Sequence, residues 1–125
     1  LASLLIDFNS EKPIYLQLAE AIEDNILKGI FQEETQIIST TEISVKYKIN
    51  PATAGKGVNV LVDEGILYKK RGVGMFVSTG ARERILKKRR KNFLQDFILP
   101  LMDEAFKLVI SKEEIIGMIE GRKEI

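Results

Sequence analysis

The sequence predicts a mainly α fold with one small β-hairpin, followed by a short all-α tail. Three observations predict it. Two capped helices stand in tandem between Ser39 and Glu64, joined by a tight turn. A pair of short strands with a basic, glycine-bearing tip follows between Ile66 and Val77. Beyond Thr79 apolar residues recur only at helical spacing. A helix pair with a tight turn presents its second helix to a DNA major groove, and a basic hairpin beside it reaches the flanking backbone. The combination is a winged helix-turn-helix domain with a helical appendage, expected to divide at 1–78 and 79–125.

Residues 1–12 read as an N-terminal arm, with a short extended piece at residues 4–8. Pro13 opens the first helix, because its fixed φ suits a first turn and its missing donor costs nothing there. Leu16, Leu18/Ala19, Ile22 and Ile26/Leu27 then recur at three- and four-residue steps as one buried stripe, and Gly29 ends the helix as a left-handed cap. Ser39 with Glu42 makes a capping box for a second helix that runs to about Tyr47 and buries Ile43 with Val45 or Tyr47. Asn50 caps a third, with Pro51 at its first position. That helix extends to Glu64, buries Ala54, Val58, Leu61 and Val62, and stops at Gly65. Ile66-Leu67-Tyr68 and Met75-Phe76-Val77 flank a polar turn as a hairpin.

In the tail, Ile85/Leu86, Phe93/Leu94, Phe97/Ile98, Leu101/Met102, Ala105 and Leu108/Val109 form a seam of nearly coiled-coil spacing, kinked or broken around Pro100. Ser111 and Glu114 form another capping box, opening a last short helix. So short a tail does not bury two-sided apolar faces alone. The expectation is a homodimer joined mainly through Leu86, Phe93, Leu94, Phe97, Leu101, Met102, Ala105 and Leu108.

The 125 residues, 45% hydrophobic and 30% charged, suit a globular chain rather than a disordered one. There is neither cysteine nor histidine. Disulfides and thiolate metal sites are thereby excluded, and so are the commonest general base and transition-metal ligand. No metal, no cofactor and no enzymatic activity are expected, and an intracellular, cytoplasmic protein is the default. No apolar run approaches the ~20 residues of a membrane helix. The opening Leu-Ala-Ser-Leu-Leu-Ile is short, lacks a basic leader and does not read as a signal peptide. Net charge is +1, with 8 Lys/Arg against 10 Asp/Glu up to residue 80 and 11 against 8 beyond it. Affinity for a polyanion must therefore come from local clusters.

Several residues carry the case for double-stranded DNA as partner. Lys56 can donate to the O6/N7 edge of guanine, or be a solvated helix residue. Gly55 and Gly57 each cost about 1 kcal/mol against alanine in a helix interior. They allow a close backbone approach to DNA or to the wing, or simply make the helix weak. Ser39, Thr40 and Thr41 at one helix N-terminus, and Asn50, Ala52 and Thr53 at the next, stand where backbone donors favour a phosphate, although capping is a shared role. Lys69, Lys70 and Arg71 suit phosphates, and also suit protection of a hairpin edge. Gly72 and Gly74 are turn residues that would also allow a close approach. Residues 82–91 hold seven basic side chains and one acid, and read as a solvated helix rather than a DNA contact. Phe93, Phe97, Met102 and Phe106 can line a ligand cavity, but their spacing fits a dimer core better.

Taken in order, several of these segments resemble the winged-helix domain of GntR-family bacterial transcription regulators. They are Pro13-Ile14-Tyr15-Leu16-Gln17-Leu18, the Ser39 box, Ile49-Asn50-Pro51-Ala52-Thr53, Asp63-Glu64-Gly65-Ile66-Leu67 and Arg71-Gly72-Val73-Gly74-Met75-Phe76-Val77. The likeness covers about residues 10–78, and the brief helical tail is similar to the YtrA subfamily, whose members lack a large ligand-binding domain. The resemblance implies a dimeric regulator, usually a repressor, on a pseudo-palindromic operator. The helix at residues 51–64 would be the recognition helix, residues 72–74 would form a wing tip near the minor groove, and a small-molecule effector or a signal read by the tail would release the DNA. This chain departs from the pattern in having Ile37-Ile38-Ser39 and Thr41 where the family commonly has Leu-Pro-Ser and then an arginine. Lys56 is the sole basic residue of its helix, and Val73 stands where a basic or polar residue is common in the family. Those departures leave open a second reading, a winged-helix module that binds protein instead of DNA.

Overall fold

The computed structural model describes residues 4–122 and divides into two compact units, Leu1–Lys87 and Lys88–Ile125. In the first, helix α1 (Ile14–Leu27) follows Pro13, whose carbonyl accepts the amides of Leu16 and Gln17. Strand β1 (Gln36–Ile37) precedes α2 (Thr40–Tyr47) and α3 (Pro51–Asp63). Strands β2 (Leu67–Lys70) and β3 (Gly74–Val77) complete a three-stranded antiparallel sheet in the order β1-β3-β2. Strand β1 is not among the elements expected from the sequence. Two residues carry no strand pattern of their own; their pairing with Phe76 and Met75 makes them a strand.

Local chemistry sets the helix ends. Ser39 Oγ accepts the Glu42 amide at 3.1 Å, so the expected capping box is present. Asn50 Oδ1 accepts the Ala52 amide at 2.9 Å ahead of Pro51. Between α2 and α3, Lys48 takes a left-handed conformation (φ 54°), and Ser44 donates its hydroxyl to the Ile49 carbonyl. The stripe of α1 (Leu18, Ile22, Ile26), Ile43 of α2, and Ala54, Val58 and Leu61 of α3 meet Ile66, Leu67, Met75 and Val77 in one core. Val62 is only half-buried, Val45 is exposed, and Tyr47 is half-buried with its hydroxyl accepting the Leu4 amide.

The arm forms no strand among its described residues. Buried Gln17 takes up its backbone instead, accepting from the Asp7 amide and donating to the carbonyls of Asp7 and Lys12, while Leu4 enters the core. With those groups satisfied by a side chain, no ladder partner is needed.

Helix α4 (Ala81–Phe93) begins inside the first unit, with Ala81 and Ile85 fully buried. The packing division therefore falls at 87/88 rather than directly after the hairpin. A five-residue π turn at Leu94–Ile98 leads into α5 (Leu99–Lys107), and the Leu99 amide reaches back to Leu94. Pro100 has no amide hydrogen for the carbonyl four residues earlier and crowds it, so the helix widens there instead of ending. Ser111 and Glu114 form the second capping box, opening α6 (Lys112–Ile119). Among the described residues no helix is long and apolar enough to cross a membrane.

Candidate nucleic-acid interface

Helix α3 buries Ala54, Gly57, Val58 and Leu61, which leaves Ala52, Lys56, Asn59 and Asp63 on its exposed side. Three- and four-residue steps put these four on a single face. Ala52 and Lys56 are thus brought together, Asn50 caps the end of the same helix, and Thr53 is turned half inward. The Lys56 ammonium lies 4.1 Å from the centroid of the Tyr15 ring on α1. At the start of α2, Ser39 Oγ is engaged as a cap, Thr40 is half-buried and Thr41 is exposed.

The two glycines of α3 have different surroundings. A Cβ on Gly57 would stand 2.8 Å from the Tyr15 carbonyl oxygen and 3.0 Å from a methyl of Leu18, so this glycine permits close packing of α3 on α1. Neither DNA nor the wing is needed to explain it. A Cβ on Gly55 would meet nothing within 4 Å.

The hairpin end is exposed at Lys69, Lys70, Arg71, Gly72 and Val73. Pairing sets Leu67 and Lys69 on one face with Val77 and Met75, and Tyr68 and Lys70 on the other with Phe76. On that outer face the Tyr68 and Phe76 rings stack at 5.8 Å, and Lys70 Nζ lies 4.3 Å over Phe76. The Val73 amide donates to the Lys70 carbonyl at 2.9 Å, closing a turn in which Gly72 has φ 76°, a conformation that favours glycine. Gln36 of β1 donates to the Val73 carbonyl at 2.9 Å, and its amide fills the space where a Cβ on Gly74 would stand.

Two adjacent carboxylates hold the hairpin base. Glu34 accepts from the Thr79 hydroxyl (2.6 Å), the Thr79 amide (3.0 Å) and the Tyr68 hydroxyl (2.7 Å). Glu33 accepts from the amides of Gly80 and Arg82 at the start of α4, where the helix dipole favours an anion. The Thr79 hydroxyl foremost, with Tyr68, holds the Glu34 carboxyl below its ordinary pKa, and the bond to Glu34 raises the Tyr68 phenol. In the basic run, Arg84 covers the position a side chain at Gly65 would need. Among the described residues no cluster of three or more potential metal ligands occurs.

No family model matches the chain. Relatives and solved structures do. YhcF of Bacillus subtilis, named as an HTH-type transcriptional regulator, is 29% identical over 118 residues, 93% of this chain and 92% of YhcF. A solved GntR-family regulator from Bacteroides thetaiotaomicron is 35% identical, covering 86% of this chain and 94% of that one, with a TM-score of 0.66. The chain belongs to the GntR family of transcriptional regulators. The repressor YtrA of B. subtilis, 32% identical over 81 residues, or 65% of this chain and 62% of YtrA, supports the YtrA-like subfamily. By contrast, the chain spans only 34% of the length of B. subtilis YurK, to which it is 32% identical.

Within this GntR-family domain, four residues of the surface escape the sequence reading. Asn59 lies three residues beyond Lys56 on the same exposed face, and plotting that helix by its period finds it. Gln36 and Glu34 act across 37 and 45 residues of chain, and no local signal marks them. Tyr15 stands in a run that carries the family resemblance, but its contact with Lys56 spans 41 residues and has no local signal either.

Proposed function

We propose that the chain is a sequence-specific, DNA-binding transcriptional regulator of the cytoplasm, acting as a homodimeric repressor on a pseudo-palindromic operator. The observation that carries this reading is the exposed face of α3, with Ala52, Lys56 and Asn59 in line and a basic hairpin following it in the same unit. Lys56 and Asn59 suit guanine and adenine edges respectively. Asn50, Thr53, Ser39, Thr40 and Thr41 serve phosphates from the helix N-termini, and Lys69, Lys70 and Arg71 serve them from the wing. Gly72 and Gly74 keep the wing tip slim. Relatives named as repressors, YtrA among them, support the same direction.

Dimerisation falls to the tail. Phe93, Leu94, Phe97, Leu101, Met102 and Leu108 are all exposed on one protomer, Leu86 is half-buried, and Ala105 is already covered by its own chain. Exposed apolar surface on this scale marks an interface. We assign Phe93, Phe97, Met102 and Phe106 to that seam rather than to an effector cavity.

Selection of bound fragments from a random double-stranded pool tests the proposal. The expected product is two half-sites in twofold relation, about one helical turn or a multiple apart, with affinity falling steeply as salt rises. The second reading, a protein-binding module, rests on the exposed Val73 at the wing tip and the thinned basic content of α3. It predicts no enriched sequence and a partner that survives salt.

A further inference from the structure

Lys56 leaves α3 between two glycines whose surroundings differ, and the difference locates its ammonium. Because Gly57 has no side chain, the α3 backbone lies against the Tyr15 carbonyl and Leu18 of α1, closer than any Cβ would allow. That approach sets the exposed Lys56 over the half-buried Tyr15 ring, with Nζ 4.1 Å from its centroid. A Cβ on Gly55 would meet nothing within 4 Å, and Lys56 itself is exposed.

We propose that Tyr15 is a positioning residue for sequence recognition, holding Lys56 over its ring so that the ammonium is aimed before DNA arrives. The inference rests on the DNA-binding reading of α3 and adds a residue from a different helix. A free lysine scatters its charge over many rotamers, and ordering it on binding costs affinity. The face of an aromatic ring attracts a cation through its quadrupole. It engages one side of the ammonium and leaves the hydrogens on the far side free to donate to guanine O6 and N7. In this account the Pro13-Ile14-Tyr15 run serves the reading surface as well as the helix start.

A double-mutant cycle on the selected operator tests this, with a scrambled duplex as reference. Tyr15→Leu weakens operator binding about three- to fivefold, the factor a surface cation–π contact is worth, and leaves the scrambled duplex unchanged. Tyr15→Phe, which keeps the ring, behaves as wild type. In a Lys56→Ala background Tyr15→Leu has no further effect. Equal losses on both duplexes, a Phe variant as poor as Leu, or additive losses with Lys56→Ala would overturn the proposal. NMR of the unmodified, DNA-free protein gives a reading independent of folding. The Lys56 ε-methylene protons must be shifted upfield by the ring current, and ordinary lysine shifts would overturn the proposal equally. Failure of the wild type to prefer any duplex sinks the DNA-binding reading instead, so the two failures are distinct.

Discussion

The two units of this molecule treat apolar side chains in opposite ways. In the first, Leu18, Ile22, Ile43, Leu61, Ile66, Leu67, Val77 and Ile85 are fully buried around one core. In the second, Phe97 is 63% exposed, Phe106 86% and Val109 89%, and Ala105 is a rare buried apolar residue among those described. Hydropathy alone does not separate them, since both carry amphipathic helices. The difference lies in what is available to cover each face. The first unit supplies its own opposing surfaces, α1 and α2 against α3 and α3 against β2, whereas the second, among the described residues, is a string of helices with little to fold onto. The proposed homodimer would cover the apolar side chains that the second unit leaves exposed.

Substitutions can break this contrast. The largest effect is expected at Leu61→Ala, which removes a fully buried side chain from α3 and should cost about 2–5 kcal/mol in chemical denaturation. Phe97→Glu in the tail should leave the protomer's fold intact and act on association. If Phe97 is central to the seam, the dimer dissociation constant rises at least about thirtyfold, as a hot-spot loss near 2 kcal/mol implies. Sedimentation of the two variants across a concentration series separates the cases. A tail variant that unfolds the protomer without shifting dimerisation would erase the distinction between the units.

A finer contrast lies within α3. Gly57→Ala forces a Cβ into the Tyr15 carbonyl and should destabilise by about 1–3 kcal/mol. Gly55→Ala meets open space and should stabilise by about 1 kcal/mol through helix propensity. Thermal melts of the two variants must move in opposite directions. Should the stabilised Gly55→Ala protein also bind DNA less well, the close approach expected at this glycine concerns DNA, just as that at Gly57 concerns α1.

What was legible in the sequence follows the range of the interactions involved. Both capping boxes, the Asn50-Pro51 start and the stops at Gly29 and Gly65 are written within four residues of where they act, and each is present. The stripe of α1 and the hairpin are periodic signals and could be read in the same way. Strand β1 could not, because Gln36 and Ile37 become a strand only through partners some forty residues away. Nor could the packing of Ala81 and Ile85 into the first unit, which requires knowing where α1 and the sheet end up. On the site itself, Lys56 and the wing lysines declare themselves by charge. The groups that hold them (Tyr15, Gln36, Glu34) are ordinary residues until the fold supplies their partners.

The smallest expected effect concerns that supporting layer, through pH. Glu34 keeps φ 62°, an uncommon conformation for a side-chain-bearing residue, while its carboxylate joins β2 to the segment entering α4. Its pKa is lowered by Thr79 and Tyr68, so its contribution is complete above the unfolded carboxylate value of about 4.3 and is lost as pH falls through the depressed folded value. The phenol of Tyr68 is raised by the same bond, so its contribution holds below about 10 and fades only above that. Between those limits the hairpin base should be indifferent to pH. Amide exchange at Thr79, corrected for intrinsic rates, should stay level from pH 5 to 9 and rise only in more acidic solution. In Glu34→Gln the acid rise should vanish. A loosening already evident near pH 6 would mean that some group other than this carboxylate governs the wing.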